Sequence, residues 1–76
     1  MQTFTQTLDY EFLQARYLLL EVAGILDRLD EAAIHDGGGV REDVRLARIK
    51  QAIGQIDAPA NQPDRVERIL QIFSEP

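Results

Sequence analysis

The chain of 76 residues has no cysteine and no tryptophan, and it holds one histidine and three prolines. Without cysteine, disulfides, thiolate zinc sites and thiol nucleophiles are excluded. The single histidine leaves only carboxylate-rich metal sites open. Serine is almost as scarce: Ser74, near the end of the sequence, is the only one. No nucleophile–base pair and no catalytic residue can be assigned, so an enzyme is not expected. Positive charge is also short, with eight Lys and Arg against thirteen Asp and Glu and a net charge of −5. That balance excludes a general nucleic-acid binder, which needs a basic field to neutralise phosphates. Long apolar runs are missing too. The most apolar stretch, Tyr17 to Leu26, is interrupted by Glu21 and is too short to span a bilayer. Met1 to Thr7 carries neither positive charge nor an apolar run, so no secretory signal and no membrane association are expected, and the cytoplasm is the predicted compartment.

What is present is apolar material, 45% of the residues, in one small domain, 1–76. A chain of this size buries only about 60% of the surface its unfolded form exposes, which leaves a single core marginal. With disulfides excluded, association with another chain or dense helix packing is the expected source of the missing stability.

No segment alternates apolar and polar residues with β-branched enrichment, so strands are not predicted. Three helices are, over about 8–35, 40–56 and 62–74. The first is expected to start after Thr7 as N-cap, with Asp9 and Glu11 in its first turn, and to stop before Gly37. The second ends before Ala58-Pro59. The third takes Asn61 as N-cap and Pro63 in its first turn. The predicted fold is all-α: a three-helix bundle with one long N-terminal helix and two shorter ones packed back on it, dimeric through the first helix.

The first helix carries the strongest pattern. Leu8, Phe12, Ala15, Leu19, Val22, Leu26, Leu29 and Ala33 alternate spacings of four and three, the a/d seam of a heptad repeat. Leu18, Ile25 and Ala32 widen one flank. A second stripe, Tyr10, Leu13, Tyr17, Leu20 and Gly24, follows the same spacing on another face. Two short helices can cover one face of a long one and not both. The Tyr10 stripe is therefore the expected interaction face for a second chain, with Gly24 admitting a close backbone approach. Two-fold pairing into a homodimer is the expected outcome, and a different protein partner is the alternative. The second helix shows Leu46, Ile49, Ala52, Ile53 and Ile56 on one stripe, with Val40, Val44 and Ala47 elsewhere. The third shows Val66, Ile69, Leu70 and Phe73.

Other constellations are weaker. Arg41, Arg45 and Arg48 form one basic edge on the second helix, a candidate anion or nucleic-acid contact. Gly37-Gly38-Gly39 before it lacks both the preceding strand and the Gly-Lys-Ser/Thr ending of a P-loop and reads as an inter-helix turn. Asp27, Asp30, Glu31 and His35 are the alternative reading, a carboxylate/His metal site, without the Glu-x-x-His spacing of di-metal bundles. Arg16 and Glu21 are candidates for pairing across an interface. No cofactor is implied.

The run Ala15-Arg16-Tyr17-Leu18-Leu19-Leu20-Glu21-Val22-Ala23-Gly24-Ile25-Leu26-Asp27-Arg28-Leu29-Asp30 resembles short bacterial helical proteins of uncharacterised role. The resemblance covers about a fifth of the chain; it implies a small helical domain and transfers no site residues. The function expected is a non-enzymatic oligomerisation, interaction or regulatory module.

Overall fold

A computed structural model describes residues 1–37, 43–59 and 63–74. It is all-α, with three helices: α1, Phe4–His35; α2, Val44–Asp57; and α3, Arg65–Ser74. The chain divides into two units, one carrying α1 and the other α2 and α3. Helix packing is seen between α2 and α3. Of the expected bundle, then, the structure shows three helices, a long first one, and the pairing of the two short ones.

Helix α1 begins a full turn earlier than the Thr7 reading placed it. Thr3 is the N-cap. Its Oγ1 accepts from the Gln6 amide at 3.1 Å, and its own amide donates to Gln6 Oε1 at 3.0 Å. This reciprocal capping box satisfies two donors that a helix start otherwise leaves open. Thr7 lies inside the helix, and its hydroxyl donates back to the Thr3 carbonyl at 2.9 Å. Asp9 and Glu11 therefore stand beyond the first turn, which holds no acid. At the other end the Asp36 amide bonds the Ala32 carbonyl at 2.9 Å, and Gly37 takes φ +80°, the left-handed conformation that halts a helix.

Helix α2 starts at Val44, because Asp43 is extended (φ −142°, ψ 133°) and caps it by accepting from the Arg45 amide at 2.8 Å. The predicted start at Val40 lies outside the described residues. Ala58 leaves the helical region ahead of Pro59 (φ −64°, ψ 137°), as steric conflict with the proline ring requires. Helix α3 opens on the Asp64 carbonyl, which accepts from the Arg68 amide at 3.1 Å. Pro63 precedes the helix and does not form its first turn; Asn61 and Gln62 lie outside the described residues.

On α2, which packs with α3, Ala52 is the one buried residue among those described, 7% exposed. Leu46, Arg48, Ile49 and Gln55 on α2 and Arg68, Ile69 and Ile72 on α3 are half-buried. Arg65 Nη2 also donates to the Ala58 carbonyl at 3.0 Å, tying the start of α3 to the end of α2. The α3 stripe read from sequence splits: Ile69 turns into the contact, joined by Ile72, whereas Val66, Leu70 and Phe73 stay exposed.

Arg68 is an expensive member of this contact. Its Nε and Nη2 are buried without hydrogen-bond partners, and Asp64 Oδ1 is 3.6 Å from Nε. A desolvated donor left unpaired costs about 1–3 kcal/mol, while an ion pair as open as this one returns about 0–1 kcal/mol. Arg68→Met, which keeps the aliphatic stem, is expected to raise stability by about 1 kcal/mol, a shift of roughly 4–8 °C for a chain of this size. A melting temperature lowered by Arg68→Met would show that the guanidinium contributes more than it costs.

Candidate interaction surface on α1

At 1.5 Å per residue, the 32 residues of α1 form a rod about 48 Å long. None of its residues is buried. The seam is open along the helix: Leu8, Phe12, Leu19, Val22 and Leu29 are exposed, with Leu19 at 61%, and Leu26 and Ala33 are half-buried. Leu18 and Ile25 on its flank are exposed as well. Phe4, drawn into α1 by the Thr3 cap, adds an apolar residue one turn before Leu8.

The Tyr10 stripe is equally open. Tyr10 is 78% exposed and Leu13 72%, with Tyr17 and Leu20 exposed and Gly24 half-buried. With a rotation of about 100° per residue this stripe lies on the opposite side of the helix from the seam. A Cβ added at Gly24 would meet Arg28 Nη1 at 3.4 Å, the far end of a flexible side chain. Within α1, then, Gly24 answers no close backbone approach. The stripe covers the N-terminal half alone, since Asp27, Arg28, Glu31 and His35 follow it on that side of the helix.

The Tyr10 stripe is the expected face for a second chain where the seam is covered within the chain. Within the unit that carries α1, the seam is exposed as well. Both faces are open, and the seam is the longer and more continuous.

Polar constellations give less. Glu31 and His35 face each other one turn apart at 3.7 Å, both well exposed, and among the described residues no three His, Asp or Glu side chains converge as metal ligands. Asp27 and Asp30 thus stay on the helix surface without forming a site with them. On the basic edge, Arg41 lies outside the described residues. Arg45 is committed to Asp43, its Nε 3.1 Å from Oδ1 and its Nη2 3.0 Å from Oδ2. Arg48 is half-buried on α2 and already engaged. The described part of that edge therefore presents no pair of free guanidinium groups to an anion. No described helix is long and apolar enough to cross a membrane.

Asp43 is held well below the ordinary carboxylate range. The Arg45 side chain, and then the Arg45 amide, stabilise its charged form and lower its pKa from 3.8 to about 2; the same pairing raises the Arg45 guanidinium. Because the folded value lies below the unfolded one, the stabilisation of α2 is complete above pH 3.8 and is lost as the pH falls through about 2. Asp43→Asn caps nearly as well without titrating. Acid titration of α2 by NMR is expected to show helicity falling across this window in the parent chain, with a smaller loss in Asp43→Asn. Superimposable titrations would remove Asp43 as the cause.

No protein-family model, curated protein or solved structure matches the chain.

Proposed function

We propose that this chain is a non-enzymatic helical self-association module, and that α1 is its working surface, pairing through the Leu8–Ala33 seam with a second copy. The observation that carries the reading is the conjunction of a four-heptad apolar seam with its exposure along α1. A lone helix in water draws little stability from propensity; most comes from packing its apolar face. The seam has the a/d spacing that another helix covers best.

The area available supports a pair. Eight large apolar side chains on the seam side, Leu8, Phe12, Leu18, Leu19, Val22, Ile25, Leu26 and Leu29, bury roughly 60–120 Å² each when covered, the equivalent of about 1.5–3 kcal/mol apiece at about 25 cal/mol/Å². Over two copies that comes to about 1,000–1,900 Å², within reach of the roughly 1,200–2,000 Å² of specific protein interfaces. Two-fold pairing makes each seam both donor and acceptor of that surface, so no further partner is required.

Sedimentation equilibrium on the full chain, together with thermal melts over a hundred-fold range of concentration, tests this. A dimer that melts higher as concentration rises is expected. A monomer at every concentration, with a melting temperature independent of it, overturns the proposal.

A further inference from the structure

We infer that the two α1 helices pair antiparallel, in the register that sets Leu8 against Ala33 of the partner subunit, Phe12 against Leu29 of the partner subunit, Ala15 against Leu26 of the partner subunit, and Leu19 against Val22 of the partner subunit. This inference rests on the self-association proposed above and adds its direction and register.

Residue sizes along the seam carry the argument. In a parallel in-register pair every residue meets its own copy, so Ala15 and Ala33 each face a second alanine while Phe12 faces a second phenylalanine. Two layers are then hollow and one overfull, and a two-stranded seam has no spare side chain to even them out. The antiparallel register sets each alanine against a leucine and the phenylalanine against a leucine, so that large and small residues interdigitate. The same register brings Leu18 beside Ile25 of the partner subunit on the flank, where both are exposed in the single chain.

The ends of α1 agree. Asp27, Asp30, Glu31 and Asp36 outnumber Arg28 in the last turns, whereas Asp9 and Glu11 stand with Arg16 nearer the start. Parallel pairing would bring the two acidic ends together. Antiparallel pairing separates them and sets the helix macrodipoles in opposition, which is favourable.

Rim charges pull the other way. Parallel pairing would place Glu11 near Arg16 of the partner subunit, and antiparallel pairing places Asp9 near Asp30 of the partner subunit. All of these residues are exposed, and an exposed pair changes association by at most about five-fold. A cavity left where two alanines face each other in a packed layer, comparable to a buried leucine truncated to alanine, costs about a hundred-fold or more. Packing therefore decides the direction.

The absence of native cysteine makes the test direct. Full-length Ala15→Cys and Leu26→Cys variants are oxidised separately and as an equimolar mixture equilibrated through the monomer, with Ala33→Cys and Leu8→Cys as a second set in case Leu26→Cys weakens the seam. In the antiparallel register two copies of Cys at position 15 are about 16 Å apart along the axis, beyond disulfide reach, while positions 15 and 26 face each other. About ten-fold more disulfide-linked dimer in each mixture than in either variant alone is expected. Efficient linking of Ala15→Cys or Ala33→Cys to itself overturns the register in favour of a parallel pair. Failure of both mixtures to link, while sedimentation shows the unsubstituted chain dimeric, overturns it as well. A monomeric unsubstituted chain instead removes the self-association beneath it.

Discussion

Replacing both Leu19 and Leu26 with glutamate is expected to abolish self-association and to unfold most of α1, cutting the far-UV helical signal by about half. The two leucines sit on successive heptads in the middle of the seam. Withdrawing each from burial forfeits about 1.5–3 kcal/mol, and the pair contains four such positions. The loss of roughly 6–12 kcal/mol corresponds to weakening of at least ten-thousand-fold, before any cost of placing charges in the seam. Unfolding follows because α1 has no buried residue of its own to fall back on. The size of the signal follows from the helix lengths: α1 has 32 residues, against 14 in α2 and 10 in α3. Leu13→Glu with Leu20→Glu makes the same chemical change on the opposite face and is expected to leave the dimer intact by sedimentation. If the Leu13/Leu20 variant is the one that becomes monomeric, the pairing surface is the Tyr10 stripe. If both variants sediment and absorb as the parent does, α1 is not an assembly surface at all.

The α1 seam was legible in the sequence because a heptad of apolar residues leaves a periodic signal that no loop imitates, and its end was marked by Gly37. Its beginning was not legible to a reading that looked for acids in the first turn. Thr3-Phe4-Thr5-Gln6 has the Thr-x-x-Gln spacing of a capping box, and attention to that spacing would have placed the start correctly and added Phe4 to the helix. In α3 the amphipathic pattern was visible but its direction was not. Ile69 and Ile72 face α2, leaving Val66, Leu70 and Phe73 outward, since an arc of apolar residues wider than one contact does not say which part of it is used. The same ambiguity governed the candidate site. Two apolar faces could be read on α1, and the choice between them depended on an assumption about coverage that spacing alone does not contain. Arg45 looked like a free cation in the sequence because its commitment to Asp43, two residues back, depends on a local turn of the cap rather than on helical spacing.

In the second unit the largest effect is expected from Ala52→Glu, which should open the contact between α2 and α3. Ala52 is the one buried residue among those described, and it lies on the same side of α2 as the half-buried Arg48, Ile49 and Gln55. A glutamate there adds volume to a filled contact, at about 1–3 kcal/mol, and brings in a carboxylate whose desolvation costs more again unless the helices part. Neither helix withstands separation: 14 and 10 residues fall at or below the roughly 12–15 at which isolated helices are marginal even in favourable sequences. Amide hydrogen exchange read by mass spectrometry on the full chain should therefore show protection in α2 and α3 falling together by at least about ten-fold. Ala47→Glu, the same substitution on an exposed position of the same helix, is the comparison that separates packing from helix propensity and charge. Equal exchange in the two variants would mean that Ala52 does not hold the pair. Loss confined to α2 would mean that α3 is supported by something other than the Ala52 contact.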